Sequence, residues 1–213
     1  MIVPGNGGGG DIASCNWYGW ARDALAASGL FEGVVLENMP DPMTARETIW
    51  LPFIREKLGA GREGSGDAGD DPVANSVVVG HSSGAEAALR LAETQRLRGI
   101  VLVSACHTDL GSANERASGY YSRPWQWNKI AENCGFIVQF HSDDDPFIPL
   151  TEARHVAENV KSDYREMSGR SHFFSPPFPE LVACLQEKLG GGEAAAAAAA
   201  SGGDGGAGGG DEA

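Results

Sequence analysis

Residues 76–95 read SVVVGHSSGAEAALRLAETQ. A short β-branched run without polar alternation predicts a strand buried on both faces, at 76–80. The residues from Gly84 to Gln95 have the spacing of a helix. Only Gly80-His81-Ser82-Ser83-Gly84 lies at the junction, so the chain must pass from buried strand to helix through one tight turn. That commits it to an α/β sheet. The pentapeptide is also G-x-S-x-G, in which the serine occupies a strained strand-to-helix turn and lifts its Oγ above the sheet edge. Glycines two residues before and after let strand and helix approach without Cβ clashes. The helix N-terminus beneath the hydroxyl favours developing negative charge. In a chain with 30 glycines among 213 residues the pentapeptide alone is a weak signal. Its position between a clear strand and a clear helix gives it weight.

The remaining pattern agrees. Strands are expected at 1–4, 33–38, 99–105, 136–140 and 163–167, and helices at 17–28, 44–58, 124–134, 151–160 and 179–189. Thr44 and Glu47 have capping-box spacing, and Pro52 predicts a kink or break in the helix they open. Six strands separated by helices imply a single α/β domain over residues 1–189, with a doubly wound, mostly parallel, six-stranded sheet. The acidic Gly-rich insertion at 59–72 and the low-complexity tail at 190–213 are expected to be disordered. The formal charge of −13 is a poor match for nucleic acid or an anionic membrane surface. No apolar run is long enough to span a bilayer. Cys15, Cys106, Cys134 and Cys184 are scattered without a C-x-x-C pair, which favours reduced thiols over disulfides or zinc. Polar, Gly-rich sequence from residue 5 does not read as a secretory leader, so a soluble cytoplasmic protein is expected.

Parallel sheets place ligand sites beyond the carboxyl ends of their strands. A serine nucleophile needs a base and the base an orienting carboxylate, in the chain order Ser, Asp or Glu, His. The expected strand at 136–140 is followed by His141-Ser142-Asp143-Asp144-Asp145-Pro146. Asp145 is the preferred carboxylate because Pro146 and Pro149 stiffen the backbone after it, and Asp144 is the second choice. His172 follows the last expected strand and stands in the right order. His81 should point away from its neighbour Ser82, His107 precedes the aspartates, His141 is too close to them, and His155 lies mid-helix. The opening Gly5-Asn6-Gly7-Gly8-Gly9-Gly10 matches G-x-G-x-x-G, with Glu37 near a second strand end as a dinucleotide fold requires. Yet residues 11–16 intervene before the first helix, whereas a pyrophosphate loop runs straight into one. A loop beside the elbow strand can instead supply backbone N–H groups to an oxyanion. One donor would be Ser83 and the second Asn6, with Gly7 as alternative. This chemistry calls for no metal and no cofactor. Trp17, Tyr18, Trp20, Trp125 and Trp127 are expected mainly to pack, with segment 118–127 the better source of pocket walls.

The stretches IVPGNGGG, WYGW, NMPDPMTARETIWLPF, GHSSGAEAALRLAE, VLVSA, DLGSANERASGYYSRPWQWNKI and DDPFIP, with His172-Phe173, together resemble the retinoblastoma-binding serine hydrolase family. The likeness runs from residue 2 to about 189. It implies a small α/β-hydrolase without a large lid, acting on acyl substrates, peptide or aminoacyl bonds among them, with a triad on Ser82, Asp145 and His172. Two departures stand out. The Leu-x-Cys-x-Glu pentapeptide that binds retinoblastoma protein is absent, because Leu58 is followed by Gly59, Ala60 and Gly61, so that partner is not implied. Ser171 replaces the glycine usual before the histidine. An idle binding or scaffold protein on the same fold is the alternative function.

Overall fold

The computed structural model describes residues 1–59 and 71–201, with side chains as far as Gly190. Five parallel strands, β1 (Ile2–Val3), β2 (Val77–His81), β3 (Gly99–Val103), β4 (Ile137–Ser142) and β5 (Asp163–Met167), pair in sequence order. The helices are α1 (Tyr18–Ala27), α2 (Glu47–Lys57), α3 (Ser83–Ala92), α4 (Ala113–Ser118), α5 (Trp127–Asn133), α6 (Leu150–Val160) and α7 (Pro179–Ser201). Strand alternation sorts the core into two layers. Val3, Val78, Ile100, Leu102 and Ile137 pack against Trp50, Ile54, Leu89, Ile130 and Val156 of α2, α3, α5 and α6. Ile2, Val77, Val79, Val101, Val103, Val138 and Phe140 meet Tyr18, Leu25, Leu181 and Leu185 of α1 and α7. With helices on both faces, the sheet is doubly wound and every strand from β1 to β4 is buried.

Among the described residues the sheet has five strands, not the expected six. Residues 33–38 run beside β1 but share one main-chain bond with it, Ile2 N–H to Val35 C=O at 2.9 Å. With two residues, β1 offers too short an edge to carry a ladder. The apolar pattern there reflects packing instead, with Val34 and Leu36 set against the core. The capping box is not formed either. Ala45 takes φ +57°, which no helix accommodates, so α2 begins at Glu47 and Asp41 binds the entering chain through Ala45 N–H and Arg46 N–H. Pro52 lies inside an unbroken α2. The segment expected as loop at 106–123 contains α4, capped by Ser112 Oγ accepting from Glu115 N–H. Helix α7 continues past Leu189. The rest of the expected disordered segments, 60–70 and 202–213, lies outside the described residues.

Candidate active site

At the junction of β2 and α3 the backbone of Ser82 adopts φ +53°, ψ −125°. Such a conformation costs on the order of 1–3 kcal/mol and persists only where its surroundings impose it. A Cβ on Gly80 would lie 2.2 Å from Gly84 C=O, and one on Gly84 would lie 2.2 Å from Val3 C=O. The two glycines are therefore steric requirements, and Gly84 also seats α3 on the end of β1. From Val77 to Glu93 every residue except Ser82 is buried. The turn presents one side chain and conceals its neighbours.

Asp145, after β4, and His172, after β5, meet each other, and His172 lines the same cavity as Ser82. His172 Nδ1 lies 2.8 Å from Asp145 Oδ2. The same Oδ2 accepts from Ser104 Oγ at 2.9 Å, and Oδ1 accepts from the N–H groups of Phe147 and Ile148. Burial pushes the Asp145 carboxyl up, but the His172 hydrogen bond and charge and the two amides outweigh it and hold it at about 2. Asp144, the second choice, turns to Ser142 Oγ and Ser171 N–H instead, and Asp143 takes Ser168 Oγ. Ser171 adopts φ +50°, so the turn usually made by glycine is made here by serine. His141 binds the Ile148 carbonyl through Nε2, His155 is exposed on α6 and stacks on His107 at 3.8 Å, and His81 turns into the interior.

The glycine-rich loop follows β1, the neighbour of β2, and its Gly5 lies against Ser82: a Cβ on Gly5 would sit 3.1 Å from Ser82 Cβ. Two amides of this loop are taken. Gly5 N–H donates to Tyr18 Oη at 3.0 Å and Gly7 N–H to Pro42 C=O at 2.8 Å. Asn6, between them, is held by its side chain, Nδ2 to Glu115 Oε1 at 2.7 Å. The loop enters a 3-10 turn at Ile12–Ser14 and α1 only at Tyr18, and Glu37 pairs with Lys57 at 2.8 Å. Neither feature suits a dinucleotide.

Ser82, His172, Gly5, Asn6 and Gly7 line one cavity of about 570 Å³. Its walls include the apolar Leu110, Phe147 and Phe174 and the acidic Glu86 and Glu115 and, among the described residues, no lysine or arginine. Glu86 is buried, accepts the Cys106 N–H at 2.9 Å, and is pushed well above the usual carboxylate range by desolvation. Of the aromatic residues singled out in the sequence, Tyr18 lines the cavity; Trp17 is core, and Trp20, Trp125 and Trp127 pack against it. Tyr121, from the 118–127 segment, also lines the cavity. Ser104, Glu86 and Glu115 were not foreseen; Ser104 fell inside the strand expected at 99–105, whereas β3 ends at Val103.

A family model described as serine hydrolase matches residues 1–176. The chain belongs to the serine hydrolase family. Serine hydrolase RBBP9 of Rattus norvegicus is 46% identical to it over 189 residues, 89% of this chain and 94% of that one. Bacillus subtilis YdeN is 25% identical over 162 residues, 74% and 78% of the two chains. The crystal structure of the ydeN gene product matches with a TM-score of 0.71 at 22% identity, covering 89% of this chain and 97% of that one. Est1E from Butyrivibrio proteoclasticus matches at 0.57 and 12% identity, over 87% and 84%. These last two likenesses concern the fold alone, that of an α/β-hydrolase. This serine hydrolase is thus an enzyme whose cavity is of a size to take a small substrate.

Proposed function

We propose that the enzyme cleaves acyl bonds through an acyl-enzyme on Ser82. His172 takes the hydroxyl proton as Ser82 Oγ attacks the carbonyl and returns it to the leaving group, and Asp145 stabilises the imidazolium. Ser83 and Asn6 N–H groups hold the oxyanion, and water, activated by the same histidine, releases the acid. The observation that carries this reading is the 2.8 Å His172–Asp145 pair on the wall of the cavity that Ser82 enters. The donor assignment is supported by elimination, since the Gly5 and Gly7 amides are already bonded. Ser83 opens α3, where a first-turn amide has no intrahelical acceptor.

The cavity favours one class of acyl group. Two acidic side chains, apolar residues and, among the described lining residues, no lysine or arginine suit a substrate with a cationic amine and a hydrophobic side chain, an aminoacyl ester or a peptide N-terminus. An ammonium group arriving beside Glu86 supplies the counter-charge that burial denies it. Location in the cytoplasm and the lack of a role for nucleic acid, membrane or retinoblastoma protein belong to the same proposal, on composition and the missing pentapeptide. Among the described residues, no helix is long and apolar enough to cross a membrane.

A fluorophosphonate probe tests the mechanism. Wild type is expected to label and Ser82→Ala not to; folded wild type that stays unlabelled would favour the scaffold alternative. For the substrate class, Glu86→Gln retains an acceptor for Cys106 N–H. It is expected to raise KM for aminoacyl reporters by roughly tenfold, a loss of one charge-assisted contact, and to leave neutral acetyl esters unchanged. Equal effects on both reporters would refute the assignment to a cationic substrate.

A further inference from the structure

His81, the second residue of the pentapeptide, has no part in the mechanism above, yet it is 1% exposed and both ring nitrogens are bonded. The polarity of its contacts can be worked out atom by atom. Nε2 lies 2.9 Å from the main-chain carbonyl of His172, which can only accept, so Nε2 carries the proton. In the neutral ring Nδ1 is then bare and accepts from Tyr18 Oη at 2.6 Å. With its proton committed, Tyr18 Oη offers only lone pairs, and these take Gly5 N–H at 3.0 Å and Asn16 Nδ2–H at 3.1 Å. Each proton has one place to go. The chain of bonds runs from the glycine loop, through Tyr18 and His81, to the backbone of His172.

Both ends need such a hold. His172 is flanked by two residues with left-handed backbones, Ser171 at φ +50° and Phe173 at φ +52°, conformations that relax unless the surroundings fix them. At the other end, Gly5 adjoins the Asn6 amide and has no side chain with which to anchor itself.

We propose that Tyr18 and His81 are positioning residues that set the base-bearing loop and the oxyanion-binding loop at a fixed separation across Ser82. The inference rests on the acyl-hydrolase reading. The bridge demands one tautomer and a neutral ring. A proton on Nδ1 would face a Tyr18 oxygen whose lone pairs are both taken. Burial, with the nearby His172, holds the His81 ring down to about 3, so the bridge stays intact at working pH.

Three variants test it: Tyr18→Phe, which keeps the ring packed on Trp17 while removing the hub; His81→Asn, which keeps an acceptor for Tyr18 but not the donor to His172; and the double variant. A shift of about 1 Å at a catalytic group can cost on the order of a hundredfold. Each single variant is therefore expected to lower kcat for p-nitrophenyl acetate and the fluorophosphonate labelling rate by roughly 10- to 100-fold, with KM within about twofold. Because the bridge acts as a unit, the double variant should be no slower than the slower single one. Labelling within twofold of wild type in either folded single variant, or multiplicative losses in the double, would overturn the proposal. A measurement on wild type alone keeps it exposed if a variant does not fold. The ¹⁵N spectrum of histidine-labelled protein should show His81 protonated at Nε2 and bare at Nδ1, and the opposite tautomer refutes the bridge. Absence of labelling in wild type would instead defeat the acyl-hydrolase reading, leaving the tautomer result to judge the bridge separately.

Discussion

Ser171 shows how local strain and function share one turn. Its φ of +50° costs a non-glycine residue roughly 1–2 kcal/mol, against the roughly 0.5–1 kcal/mol of chain entropy that glycine loses on folding. Ser171→Gly is expected to raise unfolding stability by about 0.5–1 kcal/mol in urea titration while leaving acylation unchanged, since the bond to Asp144 comes from the main chain. Asp145→Asn leaves the geometry but removes the charge that orients and stabilises His172. Its labelling rate should fall by roughly 10⁴ at neutral pH. The pairing of Asp145 with His172 was legible because the two prolines after it single it out among three aspartates. Ser104 was not. Its hydroxyl reaches Asp145 only because β3 and β4 pair and because Ser104 takes φ +52° at the strand end, and neither fact is written in a lone serine. Nor does the sequence show that the amide of Gly7, the alternative to Asn6, donates to Pro42, distant in the chain.

Among the elements, the ones buried on both faces were read correctly, because burial alone dictates their composition: β2, β3 and β4 lie where β-branched runs occur. Segment 33–38 misled because the pattern reports burial and not pairing. The start of α2 misled because Asp41, outside the capping window, holds the chain. The long connection from β3 to α5 also has a cause invisible in sequence. Arg90, buried in α3, binds Glu93 and the carbonyls of Tyr120, Arg123 and Pro124, and its guanidinium lies 3.7 Å over the Trp125 ring. Glu93 in turn accepts from Gln126 N–H. Arg90→Met would remove the donor of three carbonyls and leave the buried Glu93 with only Arg123 and the Gln126 N–H as partners. A loss of about 3–5 kcal/mol is expected in equilibrium unfolding, with the Tyr121 wall of the cavity loosened before the strands are.

At the scale of the molecule, charge and titration give two further expectations. A chain with net charge −13 and an acidic cavity attracts cations over distances comparable to the Debye length of about 8 Å at 0.15 M salt. The kcat/KM for a cationic aminoacyl reporter should therefore fall as salt rises, and that for a neutral ester should stay flat. Stability should also depend on pH through His81. Its folded-state value is depressed, from 6.5 to about 3, by burial and by His172, so between these limits only the unfolded chain takes up the proton. Stability then rises with pH across that window, by at most about 1.4 kcal/mol per unit for one proton, and the slope should flatten in His81→Asn during acid titration. The strands, finally, are laid down in the order in which they are synthesised. Ser82 follows the second and His172 follows the fifth, at the sheet's far margin. On the mechanism proposed above, a nascent polypeptide would carry the serine before the imidazole that arms it has been synthesised, so hydrolytic power would await the chain beyond the fifth strand.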